Sequence, residues 1–257
     1  MKFPRMTRRR FIGLTFSAVP VCCVGEALLL EPEWLVVRSL RLGGEKPTHR
    51  IVHFTDLHYK GDRGYLKRVI EKVNDFSPDF VCFTGDIVED KGFLEEALEM
   101  LKGIRFPMFG VPGNHEYWSG ASFAEIARCF EATGGAWLVD EESKAAGGGV
   151  GLFGSGGKHV SRIREPEAPK RLLLTHYPAF VDGLEGKSFD LILAGHSHGG
   201  QVRMPFWGPL IVPFGVGRYD RGLYRTRAGP LYVNPGIGWW RVPARFCCRP
   251  EITVVEF

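Results

Sequence analysis

Five times along this 257-residue chain, an apolar run of the kind that forms a buried β-strand ends directly in Asp, Asn or His. The polar stretches are Asp56-Leu-His58, Asp86, Asn114-His115-Glu116, His176 and His196-Ser-His198. Ligands of an open α/β sheet collect outside the carboxyl ends of its strands, so we expect these side chains at one rim. Five of the eight histidines lie in these stretches, too many for histidines scattered through a core.

The fifth stretch is ambiguous by itself. His196 and His198 would face opposite sides of a strand, but the glycines around them predict a tight loop in which both can turn inward. An exposed polar turn and a metal-binding pair explain it equally well, and the four other stretches favour metal. Oxygen and imidazole donors without a thiolate suit Mn, Fe, Zn or Mg.

The hydrophobic periodicity predicts one domain in which strands and helices alternate, with two stacked mixed β-sheets flanked by helices. The predicted strands are 34–42, 50–55, 80–84, 106–111, 137–139, 150–153, 172–175, 191–193 and 251–257. The predicted helices are 62–76, 93–101 and 122–132. Residues 155–171 have no clear period and predict a long surface loop, and the pattern after Gly200 is β-rich.

Charge and cysteine content exclude two classes of protein. The formal charge of +4 includes five positive charges within the first ten residues, and the remainder sums to −1, which argues against a general nucleic-acid binder. Residues 201–257 hold eight Arg, no Lys and three acids, a segment suited to phosphate contacts or to a solvated face with ion pairs. The six cysteines lack metal-type spacing, and a disulfide framework is not expected.

Residues 1–30 are basic and then apolar, which is typical of a targeting or anchor segment. The sequence Thr-Arg-Arg-Arg-Phe-Ile at 7–12 is similar to a twin-arginine export signal. No Ala-x-Ala cleavage site follows, and the apolar run is shorter than the roughly 20 residues of a spanning helix. A cleaved signal, an uncleaved anchor and a helix on the membrane surface all fit. We predict an uncleaved membrane anchor over 1–30 and a single domain over 31–257.

In their order and spacing, the motifs D-x-H, G-D, G-N-H-E, a lone His after a strand and G-H-x-H resemble the calcineurin-like metallophosphoesterases over residues 48–200. The tail, with Gly195 to Gln201, Tyr219 to Tyr224, Leu231 to Gly236 and Arg249 to Ile252, is similar to a bacterial branch of membrane-associated phosphodiesterases of the YaeI/YkuE kind. This resemblance implies a four-layer α/β/β/α sandwich. The branch includes enzymes that cleave UDP-2,3-diacylglucosamine in lipid A synthesis and members with twin-arginine signals.

The resemblance also implies two divalent metal ions, Mn favoured over Zn, Fe or Mg. One ion would be held by Asp56, His58, Asp86 and His198, and the other by Asp86, Asn114, His176 and His196. Two cations about 3.5–4 Å apart lower the pKa of a water between them and clamp the phosphate oxygens. Asn114 would bind through its amide oxygen without adding negative charge.

His115 is the predicted catalytic residue, because it adjoins a ligand and would contact the phosphoryl group or protonate the leaving oxygen. A hydrogen bond that merely supports the ligands is the alternative role. Glu116 and Gln201 have weaker claims on the site. His49, His53 and His159 belong to no motif and are expected to be structural or exposed, and Cys82 is expected in the core.

Aromatic residues flank the predicted site at Trp118, Phe206-Trp207 and Trp239-Trp240. Together with Arg203, Arg241 and Arg245 they predict an amphipathic rim that meets an acyl chain or an anionic leaflet, although aromatic residues more usually fill a core. Of the adjacent pair Trp239-Trp240, one side chain should face outward.

Three functions are compatible with these features. The first is a two-metal phosphodiesterase or pyrophosphatase acting on a lipid-linked substrate, with UDP-2,3-diacylglucosamine as the best candidate. The second is a broad phosphodiesterase or phosphatase of the cell envelope, and the third a non-catalytic membrane-associated binding protein. The nucleotide lipid faces the cytoplasm, whereas a spanning or exported N-terminus would put the site outside, so the first function requires an N-terminal segment that lies on the inner leaflet. Oligomeric state has no signature in the sequence.

Overall fold

Two six-stranded β-sheets face each other in the computed structural model of the chain, which describes residues 7–8, 20–42 and 47–257. The first sheet has the order β1-β14-β2-β3-β4-β5 and the second β12-β13-β9-β8-β7-β6. A short hairpin, β10-β11, stands apart from both. The strands are β1 Val36–Arg41, β2 Arg50–Phe54, β3 Phe80–Phe83, β4 Met108–Gly110, β5 Ala136–Trp137, β6 Glu141–Ala145, β7 Val150–Gly154, β8 Lys170–Thr175, β9 Leu191–Ala194, β10 Arg203–Met204, β11 Gly208–Pro209, β12 Gly222–Thr226, β13 Gly229–Val233 and β14 Glu251–Glu256.

The strands that precede the polar stretches are buried on both faces. In β3, Phe80 and Cys82 point between the sheets, and Val81 and Phe83 point toward helices. The strands β2, β3, β4 and β5 run parallel to one another, as do β7, β8, β9 and β13. Parallel strands need such double-sided cover, so the core sheet is parallel as predicted and Cys82 lies in the core.

Three helices cover the outer face of the first sheet, namely α1 Arg63–Asp75, α2 Leu94–Leu101 and α4 Phe123–Ala132. A fourth, the short helix α3 Asn114–Ser119, follows β4 and carries residues of the candidate site. The Asp62 carboxylate accepts a hydrogen bond from the Tyr65 N–H and caps α1, and Ser122 caps α4 in the same way. The apolar faces of α1, α2 and α4 pack on the sheet at the helical spacing found in the sequence.

The outer face of the second sheet is covered by short 3₁₀ helices and loops. The 3₁₀ helix Pro178–Gly183 packs Val181 against β8 and β9. Residues 155–171, predicted as a surface loop, contain the 3₁₀ helix Val160–Arg162 and the buried Ile163. The layered fold of two mixed sheets between flanking helices is confirmed.

Three elements differ from the predicted ones. The strand β6 was not predicted because its sequence, Glu-Glu-Ser-Lys-Ala, is polar. It lies at the edge of the second sheet, where it pairs with β7 alone. The helix α3 was not predicted either, because its six residues are too few for a periodic signal and include the site itself. The first strand begins at Val36 rather than Trp34.

The N-terminal segment enters the fold at residues 20–33, which are helical. The buried carboxylate of Glu31 accepts hydrogen bonds from the N–H groups of Cys247 and Cys248, both at 3.0 Å. Among the described residues, no helix is long and apolar enough to cross a membrane. The twin-arginine-like motif extends into residues 9–19, which lie outside the described ones. All six cysteines are free thiols.

Candidate metal centre

The polar stretches come together where strands of both sheets end. Loops after β2 and β3 supply Asp56, His58 and Asp86, and the start of α3, after β4, supplies Asn114 and His115. Loops after β8 and β9 supply His176, His196 and His198. All eight side chains are buried. The expectation that these stretches share one rim is therefore met across two sheets rather than one.

Four of the predicted residues form a first set of donor atoms. Asp56 Oδ1 lies 3.3 Å from His198 Nε2 and 3.9 Å from His58 Nε2. His58 Nε2 is in turn 3.5 Å from Asp86 Oδ2. One atom from each of Asp56, His58, Asp86 and His198 lies within 4.8 Å of the others, a spacing that a single cation can span.

A second set shares Asp86 with the first. Asp86 Oδ2 is also 3.3 Å from His176 Nε2, and His176 Nε2 is 3.0 Å from His196 Nδ1. The amide oxygen of Asn114 lies 3.1 Å from His176 Nε2. The two sets therefore meet at one carboxylate oxygen, and they contain the same residues as the two predicted ligand groups.

Backbone carbonyls fix the orientation of two of these histidines. His176 Nδ1 lies 2.6 Å from the Thr84 carbonyl and His196 Nε2 lies 2.7 Å from the Phe214 carbonyl, so each of these nitrogens is the donor. The remaining ring nitrogens, His176 Nε2 and His196 Nδ1, then direct their lone pairs into the site, as a metal ligand requires.

The electrostatics also suit cations. Burial lowers the pKa of His196 to about 3 and that of His198 well below its ordinary value, so both rings are neutral at pH 7. Burial likewise lowers the pKa of His176, but the Asp86 carboxylate outweighs it and raises that pKa to about 9. A bound cation would take the place of this proton.

An unpartnered buried oxygen marks the first set. Asp56 Oδ1 accepts no hydrogen bond from any described residue, although Asp56 is fully buried. A buried carboxylate oxygen without a partner is costly, and coordination of a cation would satisfy it. The donor set thus fits a divalent metal on the evidence of its own atoms.

Glycines allow the loops to approach this closely. A Cβ atom on Gly113 would lie 2.1 Å from Asp86 Oδ1, and one on Gly195 would lie 2.5 Å from Asp56 Oδ2. Neither approach leaves room for a side chain.

Glu116 holds the loops of the first sheet together. Its carboxylate accepts hydrogen bonds from the N–H groups of Asp86, Ile87 and Gly113, at 2.9, 2.6 and 2.6 Å. Burial, reinforced by the Asp86 carboxylate, raises the pKa of Glu116 to about 7. Glu116 therefore positions Asp86 rather than facing the cavity.

Glu89 is a site residue that the sequence did not indicate. Its Oε1 atom lies 3.4 Å from His58 Nδ1 and its Oε2 atom 3.3 Å from Lys60 Nζ. Burial would raise the pKa of Glu89, but His58 and Lys60 hold it at about 2. A carboxylate behind a metal-ligand histidine fixes the ring and strengthens it as a donor.

A cavity of about 480 Å³ opens above the two donor sets. His115 lines it, with its ring edge against His58 at 4.7 Å between centroids and against Trp118 at 5.0 Å. Its backbone N–H donates to Asp86 Oδ1 at 2.8 Å. Burial lowers the pKa of His115.

The predicted rim is correct in some residues and wrong in others. Trp118 and Trp207 are exposed, and Trp239 and Trp240 line two different cavities. Arg245, predicted on the rim, is fully buried, because its guanidinium donates to the carbonyls of 235, 236, 238 and 248. Arg203 is also held inward, 2.6 Å from Asp220 Oδ2.

The remaining assignments concern residues away from the two donor sets. The Gln201 carboxamide hydrogen-bonds the backbone of residues 240–244 and so closes the loop beside the cavity. His53 is buried and lies 2.9 Å from Thr84 Oγ1 through Nε2, a structural position as expected.

Comparison with known proteins gives one family and several relatives. Residues 49–200 match the model of the calcineurin-like phosphoesterases. The metallophosphoesterase YkuE of Bacillus subtilis is 29% identical over 280 residues, covering 97% of each chain. The phosphodiesterase YaeI of Escherichia coli is 27% identical over 98% of this chain and 99% of its own. The UDP-2,3-diacylglucosamine pyrophosphatase LpxG of Chlamydia trachomatis is 26% identical over 95% of this chain and 97% of its own.

Proposed function

The chain belongs to the calcineurin-like phosphoesterase family and is a hydrolase, and from that membership we propose a two-metal phosphodiesterase or pyrophosphatase. The observation that carries the proposal is the pair of donor sets that share Asp86 below one cavity. Such sets suit hydrolysis of a phosphate ester or anhydride, because charge builds up on phosphate oxygens in the transition state.

The proposed ligands are the seven predicted residues. Asp56, His58, Asp86 and His198 hold one divalent ion, and Asp86, Asn114, His176 and His196 hold the other. The bound ions lower the pKa of water and neutralise charge on the phosphate oxygens. Manganese is the metal we propose first, as the family resemblance implies, and these oxygen and imidazole donors also accept Zn, Fe or Mg.

The residues of the chain itself bind and orient the substrate. Lys158 and Arg241 line the cavity and neutralise the phosphate, and each lies over an aromatic ring, Tyr117 and Trp240 respectively. His115 contacts the phosphoryl group or protonates the leaving oxygen, since it lines the same cavity beside the ligands.

A lipid-linked substrate is the best candidate for the cavity. Aromatic side chains line it beside the two donor sets, namely Trp118, Tyr177, Phe180, Phe214 and Trp240. This mixture suits a molecule with both a phosphate and an apolar part. The relative LpxG is a UDP-2,3-diacylglucosamine pyrophosphatase. We propose this nucleotide lipid as the first candidate substrate, which would place the chain in lipid A synthesis. A broad phosphodiesterase or phosphatase of the cell envelope is the second candidate, and the relative YaeI, a phosphodiesterase, supports the reaction class.

Protein reconstituted with Mn²⁺ and assayed on UDP-2,3-diacylglucosamine and on bis-p-nitrophenyl phosphate tests the proposal. Hydrolysis of the nucleotide lipid supports the first substrate, and hydrolysis of the simple diester alone supports the second. Asn114→Ala and His196→Ala should remove either activity. Full activity in both variants, or protein that binds no metal, would contradict the two-metal proposal.

We also propose that residues 1–30 attach the domain of residues 31–257 to a membrane. The nucleotide lipid requires the domain on the cytoplasmic side. Protease protection of a tagged chain in intact cells and in inverted vesicles distinguishes the sides. A domain found only outside would exclude the nucleotide lipid and leave an envelope phosphodiester.

A further inference from the structure

A segment beside the cavity exposes large apolar side chains. We call residues 203–214 the apolar arm; it contains the β10-β11 hairpin and the chain that follows it. Its exposed apolar residues are Met204, Phe206, Trp207, Leu210, Ile211 and Phe214. Phe214 is 98% exposed and Trp207 is 86% exposed. Neither Phe206 nor Trp207 lines the cavity, so the proposed chemistry has no use for them.

The base of the arm is held firmly. Arg203 Nη1 donates to the Gly199 carbonyl at 2.7 Å and to Asp220 Oδ2 at 2.6 Å. At the other end, the Phe214 carbonyl accepts the hydrogen bond from His196 Nε2. The fold therefore presents these aromatic side chains to the outside on an anchored base.

The arm is joined to the N-terminal segment through one short stretch of chain. The Arg203 N–H donates to the Phe246 carbonyl, and the neighbouring Arg245 N–H donates to the Ala27 carbonyl, both at 2.9 Å. In the helical residues 20–30, apolar side chains are again exposed, namely Val21, Val24, Leu28, Leu29 and Leu30. The sequence immediately before them, from Phe11 onward, is apolar as well.

The charge around the cavity mouth favours anions. Lys158 and Arg241 line it, and Asp86 at its base is the one acidic residue in the lining. The Lys158 ammonium lies 4.2 Å from the centroid of the Tyr117 ring, and the Arg241 guanidinium lies 4.3 Å from the centroid of the Trp240 ring. Exposed Trp and Phe combined with basic side chains are typical of surfaces that lie in the headgroup region of anionic lipids.

We propose that the apolar arm inserts into the interface of an anionic lipid bilayer, beside residues 20–30, so that the cavity opens toward the headgroups. This inference rests on the proposed function for its purpose, because a lipid-linked phosphate would reach the site without leaving the membrane. A bilayer is favoured over a protein partner because the apolar N-terminal sequence leads into the same connected surface.

Tryptophan fluorescence of the full chain tests insertion directly. Vesicles of phosphatidylcholine and phosphatidylglycerol are prepared with and without bromine in the acyl chains near the headgroups. Trp207→Phe keeps an aromatic apolar side chain and removes one fluorophore, so the difference from wild type isolates the Trp207 emission. Brominated vesicles should reduce this emission about twofold or more, as expected for a ring buried at the interface. An unchanged Trp207 emission on vesicle-bound protein would overturn the proposal.

Vesicle flotation adds a second measurement. The double variant Phe206→Ser, Trp207→Ser should partition about tenfold more weakly, because two aromatic side chains no longer leave water. Leu223→Ser is the matched control, since Leu223 is exposed and lines neither cavity. Equal partitioning of the double variant and wild type, at lipid concentrations that leave part of the wild-type chain unbound, would contradict insertion. A dimer in solution that the double variant dissociates, with no quenching, would instead identify a contact between two copies.

Turnover of bis-p-nitrophenyl phosphate without vesicles separates this inference from the proposed function. The double variant should retain that turnover, because Phe206 and Trp207 lie outside the cavity. If brominated vesicles quench the Trp207 emission of wild-type protein but the protein hydrolyses neither substrate, the proposed function is refuted and the proposed bilayer contact is supported.

Discussion

The metal centre and the apolar arm are built in opposite ways. At the centre, five of the seven proposed ligands adopt left-handed backbone angles, namely Asp56, His58, Asp86, His196 and His198. Each such non-glycine residue costs about 1 kcal/mol or more. The arm has one left-handed residue, Phe206, but it is secured at its ends and its large side chains are exposed rather than packed.

The strain at the centre persists because neighbouring loops support one another. The Asp56 N–H donates to the Gly85 carbonyl at 2.9 Å, and the His58 N–H donates to the Asp86 carbonyl at 3.0 Å. The Asp56 carboxylate in turn accepts the His196 N–H at 3.0 Å, across the two sheets. A change at the metal centre should therefore affect the binding of both proposed metals and of the substrate. A change in the apolar arm or at the cavity mouth should affect only the ligand that binds there.

The largest effect is expected at the shared carboxylate. Asp86→Asn should lower turnover about 1000-fold or more, because losing one ion removes several kcal/mol of transition-state stabilisation. Metal content measured by inductively coupled plasma mass spectrometry should fall from two ions per chain to at most one. Asp90→Asn, four residues on and exposed, is the matched control. Two ions bound to folded Asp86→Asn would show that the two sets do not share this residue.

The sequence indicated which polar side chains come together, because each follows closely on a strand and strand ends are a local signal. Their division into two ligand sets came from the family resemblance and stays a prediction. The sequence could not reveal Glu89, because the contact with His58 depends on how the loop after β3 folds back. Arg245 was misplaced for a similar reason. An arginine in a Pro- and Gly-rich tail normally faces water, and only the tertiary fold brings four carbonyl groups around its guanidinium.

Glu89 tests whether a residue that only orients a proposed ligand, His58, also contributes to metal affinity. Glu89→Gln should weaken metal binding about 10- to 100-fold, because a neutral amide orients His58 less firmly. Competition with a fluorescent chelator measures the dissociation constant without relying on activity. Glu95→Gln, exposed on α2, should have no effect. An unchanged metal dissociation constant in Glu89→Gln would show that the ligands keep their orientation without support from Glu89.

His53 tests the rigidity of the strand below the centre. Burial lowers the pKa of His53 to about 3. Below the ordinary pKa of about 6.5 the unfolded chain takes up a proton that the folded chain refuses, so stability falls as the pH drops from about 6.5 toward 3. Between about pH 7.5 and pH 5 this residue should remove roughly 2 kcal/mol from the free energy of unfolding.

Urea unfolding of wild type and His53→Gln at both pH values measures this contribution. The Gln side chain retains a hydrogen-bonding partner for Thr84 but cannot take up the proton. The stability difference between the two proteins should shift by roughly 2 kcal/mol in favour of His53→Gln at the lower pH. Because both proteins carry the same metal ligands, any acid-induced loss of metal affects both and cancels. A difference that is independent of pH would mean that the pocket around His53 opens to water.

The smallest effect is expected at the cavity mouth, which Lys158 lines. Lys158→Ala should raise KM for bis-p-nitrophenyl phosphate about fivefold with kcat and metal content unchanged, because one exposed cation contributes about 1 kcal/mol to phosphate binding. Lys144→Ala, exposed on β6 and away from the cavity, should leave KM unchanged. A fall in kcat or in bound metal would show that Lys158 affects the metal centre and that the cavity mouth and the metal centre are coupled. A rise in KM alone would mean that the cavity mouth can be altered for a different substrate without disturbing the proposed metal ligands.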